Sequence, residues 1–288
     1  MRAQVFVPGH VSCTFRPFKG KDIDSTGSLG FGIRLSLGCR ASAELRDDDQ
    51  VIIRMNGKPS EAEVTRSALE SMFPGRGMEV DLEHDLPLEQ GFGSSASGTY
   101  AATLAVASLL GADPSLAAAE SHRAECSRGG GLGDLLAIDS GYGVPIRTAP
   151  GAPGICGRTE DSGLNIDNIL LGVFDSPLRT GSVLSDEDEM NVIIRAGDRA
   201  VADFSKDRTM KNLYETSNRF SKEIGLESEE VSWALKELKD RGFSAGMCML
   251  GNSIYTDAPM DVLKDTMPEA RLFTASSYSG KITVTRTE

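Results

Sequence analysis

The stretch Leu86–Leu110, LPLEQGFGSSASGTYAATLAVASLL, decides how this chain is read. A polar, glycine-rich turn runs straight into an alanine-rich segment. Gly91 and Gly93 permit a tight backbone path that a Cβ would obstruct. Ser94, Ser95 and Ser97 are helix-starting residues with hydroxyls beside unsatisfied N–H groups. From Tyr100 to Leu110 the residues are nearly all small or aliphatic, which predicts a helix buried on most of its circumference. The N-terminus of such a helix, opening into a glycine loop, is an anion site, because free N–H donors and the positive dipole end face one ligand. Phosphate is the ligand it fits. No Gly-Lys-Ser/Thr closes the loop and no GxGxxG is present, so it is neither a Walker A loop nor a dinucleotide fingerprint. Nor is it a nucleophile elbow, since Ser97 stands where the second glycine belongs.

Composition narrows the class. At 288 residues the chain can bury one large core or two modest ones. A net charge of −12 argues against nucleic acid as a partner, there being no excess of Lys or Arg to neutralise phosphates. Cys13, Cys39, Cys126, Cys156 and Cys248 are scattered and form no CxxC pair, which predicts reduced thiols in a cytoplasmic protein. There is no charged-then-apolar leader and no apolar run long enough for a bilayer, so no membrane association is expected. The three histidines, His10, His84 and His122, leave little room for a His-based metal site.

Outward from the glycine loop, Ala3–Val7 reads as a strand ended by Pro8-Gly9, followed by a mixed loop, HVSCTFRPF. Asp24–Gly30 is a second glycine/hydroxyl loop before a strand over Ile33–Leu45. A strand (Gln50–Met55), a helix (Ser60–Met72) and a strand (Gly77–Glu83) lead to Leu86. Beyond Leu110, Gly111 is a C′ stop, Asp113 an N-cap and Pro114 the first residue of a helix ending near Ser127. Arg147 lies in a short extended run, and the Gly-rich segment after it puts a domain boundary near residue 155. The second half predicts a strand at Ile169–Val173, an acidic helix start at Asp186–Glu189, and helices over Met190–Phe204, Met210–Ile224 and Ser228–Arg241. A strand of small residues in GFSAGMCMLGNSIYTDA follows. A helix over Val262–Met267 and one or two strands within Ala270–Arg286 end the chain.

Glu125 on a helix, a glycine-rich turn, and then Asp134 form the second constellation. Phosphoryl transfer needs charge neutralised on the γ-phosphate and a hydroxyl held in line. Mg²⁺ does the first through hard oxygen ligands, and a nearby carboxylate orients or deprotonates the alcohol. Asp139 is the rival carboxylate five residues on. His122 lies one turn before Glu125 and reads as a structural hydrogen-bond partner.

PxxxGFGSSAS resembles the central motif of the GHMP kinases, and AECSRGGGLGD resembles that family's magnesium ligand and catalytic aspartate. PGHVSxxFxP and STGSLGxGI, at Pro8–Pro17 and Ser25–Ile33, resemble the archaeal pantoate kinase branch, while the Gly-Glu-His triplet of the generic first motif is missing. The resemblance implies a two-domain α+β fold: a ribosomal-S5-domain-2-like half over residues 1–155 and a ferredoxin-like half over 156–288. It implies ATP and Mg²⁺ as cofactors, pantoate as substrate and a homodimer. It places the triphosphate on Pro87, Gly91, Phe92, Gly93, Ser94, Ser95, Ala96 and Ser97, with Ser244 and Gly246, where the family keeps a third glycine-rich motif, as a wall of the phosphate site, and Mg²⁺ on Ser95 and Glu125. Asp134 is then the catalytic residue. The substrate-side loops offer His10, Ser12, Ser25, Thr26, Gly27 and Ser28. An acidic substrate also needs a cation, for which Arg147 is the first candidate, ahead of Arg16 and Lys21. Three other readings stay open: a kinase for homoserine or a mevalonate relative, a serine hydrolase pairing Ser95 with His122, and a nucleotide-binding module without catalysis.

Overall fold

The computed structural model describes residues 1–176 and 187–287. The first strand does not stop at Pro8-Gly9. β1 (Arg2–Ser12) runs through the pair, and its register on β3 (Gly27–Leu45) shifts between Pro8 and His10, so the dipeptide is a bulge inside the strand. The other edge of β1 is paired only from Arg2 to Val5, which leaves Pro8 where a missing N–H breaks no ladder. His10 and Ser12, expected in a loop, are therefore strand residues. β2 (Arg16–Phe18) pairs with the start of β3, so Gly27–Gly30 is strand rather than loop.

β4 (Val51–Met55), β5 (Lys58–Pro59), α1 (Glu63–Met72) and β6 (Met78–His84) lead into α2 (Ser94–Leu110). α3 (Pro114–Ser127) and α4 (Asp134–Asp139) follow, then β7 (Pro145–Ala149) and β8 (Arg158–Asp161). The second half contains β9 (Ile169–Val173), α5 (Glu187–Lys206), α6 (Met210–Glu223) and α7 (Glu229–Asp240). It closes with β10 (Ala245–Met247), β11 (Ser253–Thr256), α8 (Met260–Thr266), β12 (Arg271–Ala275) and β13 (Val284–Thr287). Asp186, the first residue of the expected acidic run, lies outside the described residues.

The larger sheet has the order β13-β1-β3-β6-β4-β5, with β2 and β7 on the early part of β3 and β8 on β7. The boundary expected at residue 155 falls in the turn between β7 and β8, and both β8 and β13 belong to this sheet. Inward residues alternate along its strands (Ala3, Val5, Val7; Cys39, Ala41, Ala43; Val80, Leu82) and meet α2. α2 is buried on nearly all sides, because its alanines let the sheet, α1 and α3 approach its backbone together.

The smaller sheet, β10-β11-β9-β12, is antiparallel. The single strand expected in GFSAGMCMLGNSIYTDA is two short strands around a turn at Cys248–Asn252, where Leu250 has φ 65°. A core of Val11, Cys13, Phe31 and Ile33 against Leu171, Val173 and Tyr255 joins the two sheets. Phe31 stacks on Phe204 of α5 with ring centroids 4.0 Å apart. Early β3 is thereby clamped between the halves of the chain, next to the glycine loop.

Candidate active site

The loop before α2 is held by backbone on both flanks. The His10 N–H donates to the Phe92 carbonyl at 2.9 Å, tying the loop to the bulge in β1. On the other flank a Cβ on Gly91 would stand 2.8 Å from the carbonyl oxygens of Cys248 and Met249, and its φ of 77° is a glycine conformation. The wall of the loop is thus the Cys248–Asn252 turn, rather than Ser244 and Gly246. Gln90, which sequence reasoning passed over, is the tie: its side-chain oxygen accepts from the Asn252 N–H at 3.0 Å, and its carbonyl accepts from Ser253 Oγ at 2.6 Å. Its partners lie more than 160 residues away, so no local signal marked it.

No hydroxyl caps α2. Its N-cap is Gly93, with φ 59° and no side-chain cap bond. Ser94 Oγ donates back to the Pro87 carbonyl at 3.3 Å, and Ser97 Oγ to the Ser94 carbonyl at 3.1 Å. Both hydroxyls expected as caps are spent within the loop and helix, so the first-turn amides stay open at the positive end of the dipole. Phe92 and Ala96 face the interior, and Ser95 faces outward.

Ser95 Oγ donates to Glu125 Oε1 at 2.6 Å, and the Gly131 N–H donates to the other carboxylate oxygen at 3.3 Å. Glu125 is otherwise sealed, and burial pushes its pKa up to about 7, with the Asp134 charge adding to the rise and the Ser95 bond opposing it. A buried carboxylate beside a hydroxyl at the mouth of a phosphate loop, short of positive charge, fits a hard divalent cation. Among the described residues no three His, Cys, Asp or Glu side chains gather to hold a metal. An ion here would take its remaining ligands from phosphate and water.

Asp134 opens α4 beside the N-cap of α2, its Cβ 3.4 Å from where a Cβ on Gly93 would lie. His10 Nδ1 is 2.8 Å from Asp134 Oδ1 and His10 is fully buried. Burial lowers the His10 pKa, so the ring is neutral with its proton on Nδ1, donating to the carboxylate. Nε2 has no partner. His10 thus grips the aspartate through Oδ1, leaving Oδ2 without a hydrogen bond among the described residues. The rival Asp139 is held by Tyr100 Oη at 2.6 Å on an exposed face.

Arg147 is also fully buried, reaching Ser12 Oγ (3.4 Å) and the Thr14 carbonyl (3.1 Å), and among the described residues its Nε has no partner and no carboxylate is in ion-pair contact. Desolvation lowers its pKa to about 10, against the attraction of Asp134. Ser28 and Arg147 gather around Gly133, next to Asp134, where a Cβ would stand 2.2 Å from Ser28 Oγ and 2.8 Å from Arg147 Nε, and Ser12 joins them through its bond to Arg147. Ser25 and Thr26 are turned elsewhere, their hydroxyls bonding to Asp22. Gly27 leaves room for the Gly151 backbone, whose N a Cβ on Gly27 would meet at 2.4 Å. Of the reserve cations, Arg16 is ion-paired with Asp198 at 3.1 Å, and Lys21 is exposed. His122 Nε2 bonds the Thr26 carbonyl at 3.0 Å, a structural role that removes the base a Ser95 hydrolase would need.

Residues 62–142 match the family described as GHMP kinases N terminal domain. The pantoate kinase of Thermococcus kodakarensis is 31% identical over 265 residues, spanning 88% of this chain and 87% of that protein. The pantoate kinase of Methanospirillum hungatei is 29% identical over 261 residues, spanning 88% and 86%. A solved structure described as a phosphotransferase related to the CoA biosynthesis pathway superposes with a TM-score of 0.87 at 27% identity, over 99% of both chains. With the motifs in the same order and the carboxylates, serine and glycine loop brought together, the chain belongs to the pantoate kinases, a branch of the GHMP kinase family with its two-domain α+β fold.

Proposed function

We propose that the protein transfers the γ-phosphoryl group of ATP to the 4-hydroxyl of (R)-pantoate, giving (R)-4-phosphopantoate and ADP on the archaeal route to coenzyme A. One observation carries the reading: Asp134 lies between the open N-terminus of α2 and a buried guanidinium without a carboxylate partner. A phosphate donor and a hydroxy acid are the two ligands such a pair of sites asks for. The amides of Ser94–Ala96 receive the phosphates. Mg²⁺, held by Ser95 and Glu125, would offset charge on the phosphates. Arg147, with Ser12 and Ser28 beside it, takes the carboxylate of pantoate. Asp134 Oδ2 receives the proton of the 4-hydroxyl as its oxygen bonds to the γ-phosphorus and the bond to the ADP oxygen breaks. His10 holds Asp134 Oδ1 and does not touch the substrate. No described helix is long and apolar enough to cross a membrane. The five unpaired cysteines support a cytoplasmic setting, and likeness to the family supports a homodimer.

The test is ADP release from ATP and Mg²⁺ with pantoate, pantothenate, homoserine and mevalonate offered separately. Turnover on pantoate alone is expected. Turnover on another alcohol would reassign the pocket around Arg147, and ATP binding without turnover on any would remove the catalytic reading.

A further inference from the structure

The segment joining α3 to α4, RGGGLG at 128–133, contains glycines of two kinds. Gly129 has a left-handed backbone, φ 71°, and a Cβ there would meet nothing within 4 Å. It makes the turn out of α3: its N–H donates to the Cys126 carbonyl at 3.3 Å and the Gly130 N–H to the Glu125 carbonyl at 2.9 Å. Gly130, Gly131 and Gly133 have no positive φ, and Gly133 sits at φ −134°. Their backbone is open to other residues, so the turn does not account for them.

What lies against each Cα does. A Cβ on Gly130 would stand 2.4 Å from Glu125 Oε2, and one on Gly131 2.3 Å from Asp134 Oδ2. One on Gly133 would stand 2.2 Å from Ser28 Oγ and 2.8 Å from Arg147 Nε. The three nearest atoms are all side-chain atoms at Gly131 and Gly133; at Gly130 the one backbone atom among them, the Glu125 carbonyl oxygen, is 3.2 Å away. The partners start from α3, α4, β3 and β7, yet all rest on one run of four residues. Two of them are sealed, Glu125 at 1% and Arg147 at 0% exposure, and Arg147 Nε has no partner among the described residues.

We infer that Gly130, Gly131 and Gly133 are positioning residues for phosphoryl transfer, each seating a different part of the site. Gly130 seats the Glu125 carboxylate, Gly131 that of Asp134, and Gly133 the Arg147 guanidinium with Ser28. The inference rests on the roles given to those side chains above. A bare Cα lets a side chain lie directly on the backbone, and an added methyl must push its tip aside. Displacing an oriented group by about 1 Å can cost about 10²-fold in rate. Because the three partners differ in role, the three methyls should disturb different constants.

The test replaces each glycine singly by alanine in the full chain and measures initial rates against Mg²⁺, ATP and pantoate. Gly130→Ala should raise the Mg²⁺ concentration for half-maximal rate about tenfold. Gly131→Ala should lower kcat about 10²-fold with both KM values within about twofold of wild type. Gly133→Ala should raise the KM for pantoate about tenfold at near wild-type kcat. Gly129→Ala, the control, should lower the melting temperature through its left-handed backbone and leave all these constants in place. Each methyl meets a side-chain tip, so the variants should fold, as circular dichroism will check; loss of one leaves the other two to decide. If the wild type turns over a different alcohol, its KM is read instead. If it turns over none, the kinase reading fails, and Gly130→Ala decides the inference through the Mg²⁺ dependence of ATP binding by calorimetry. The inference is overturned if the three alanines change the same constants in the same proportion, if Gly129→Ala changes them equally, or if all three match the wild type.

Discussion

Glu125→Gln should make the protein more stable at neutral pH while removing the carboxylate proposed to hold magnesium. The glutamine keeps an oxygen to accept from Ser95 and removes only the titrating charge. Burial carries the carboxyl of Glu125 from an ordinary value of 4.5 to about 7. In that window the folded chain binds a proton that the unfolded chain has lost, so stability falls as pH rises from about 4.5 to about 7 and is level above. At about 1.4 kcal/mol per tenfold change in proton affinity, the loss is about 3 kcal/mol, several degrees in melting temperature for a chain of this size. The assay is thermal unfolding in EDTA at pH 5 and pH 8. The wild type should lose stability between the two relative to the variant, by up to that amount. Mg²⁺ with ATP should narrow the gap at pH 8 by stabilising only the wild type's ionised carboxylate. If the two proteins respond to pH in parallel, the carboxyl ionises without penalty, and the account of Glu125 as a buried charge awaiting a cation is wrong.

The other outcomes concern the site directly. Asp134→Asn should lower kcat by about 10²- to 10⁴-fold with ATP affinity nearly unchanged in a binding titration; a near wild-type kcat would take Asp134 out of the reaction. Arg147→Met preserves volume and deletes the guanidinium, so the KM for pantoate should rise roughly 10- to 100-fold while that for ATP stays put in initial-rate measurements. Gly91→Ala forces a Cβ to 2.8 Å from two carbonyl oxygens at φ 77°, and should raise the KM for ATP about tenfold by displacing the loop. His10→Leu should lower kcat through a loosened Asp134, and His10→Asn, which restores an N–H, should recover part of it; equal losses in both would deny the histidine its positioning role.

What the sequence determined by itself was local. The α2 segment declared its burial through alanines, Asp113-Pro114 its helix start, and the order of three motifs the family, because caps, periodicity and glycine placement act over a few residues. The same local rules misread Pro8-Gly9 as a strand end and Ser94 and Ser97 as caps. In both places the deciding partner came from elsewhere: the Phe92 carbonyl that meets the bulge at His10, and Gly93, whose left-handed backbone starts the helix and releases its amides. Only the tertiary structure decided which polar groups face one another. It set His10 against Asp134 as a brace, drew Arg147 inside without an acidic partner among the described residues, and fastened Gln90 to Asn252 across the two halves. Those relations depend on distances between residues far apart in the chain. A buried charge takes its properties from that surrounding, which one-dimensional spacing does not encode.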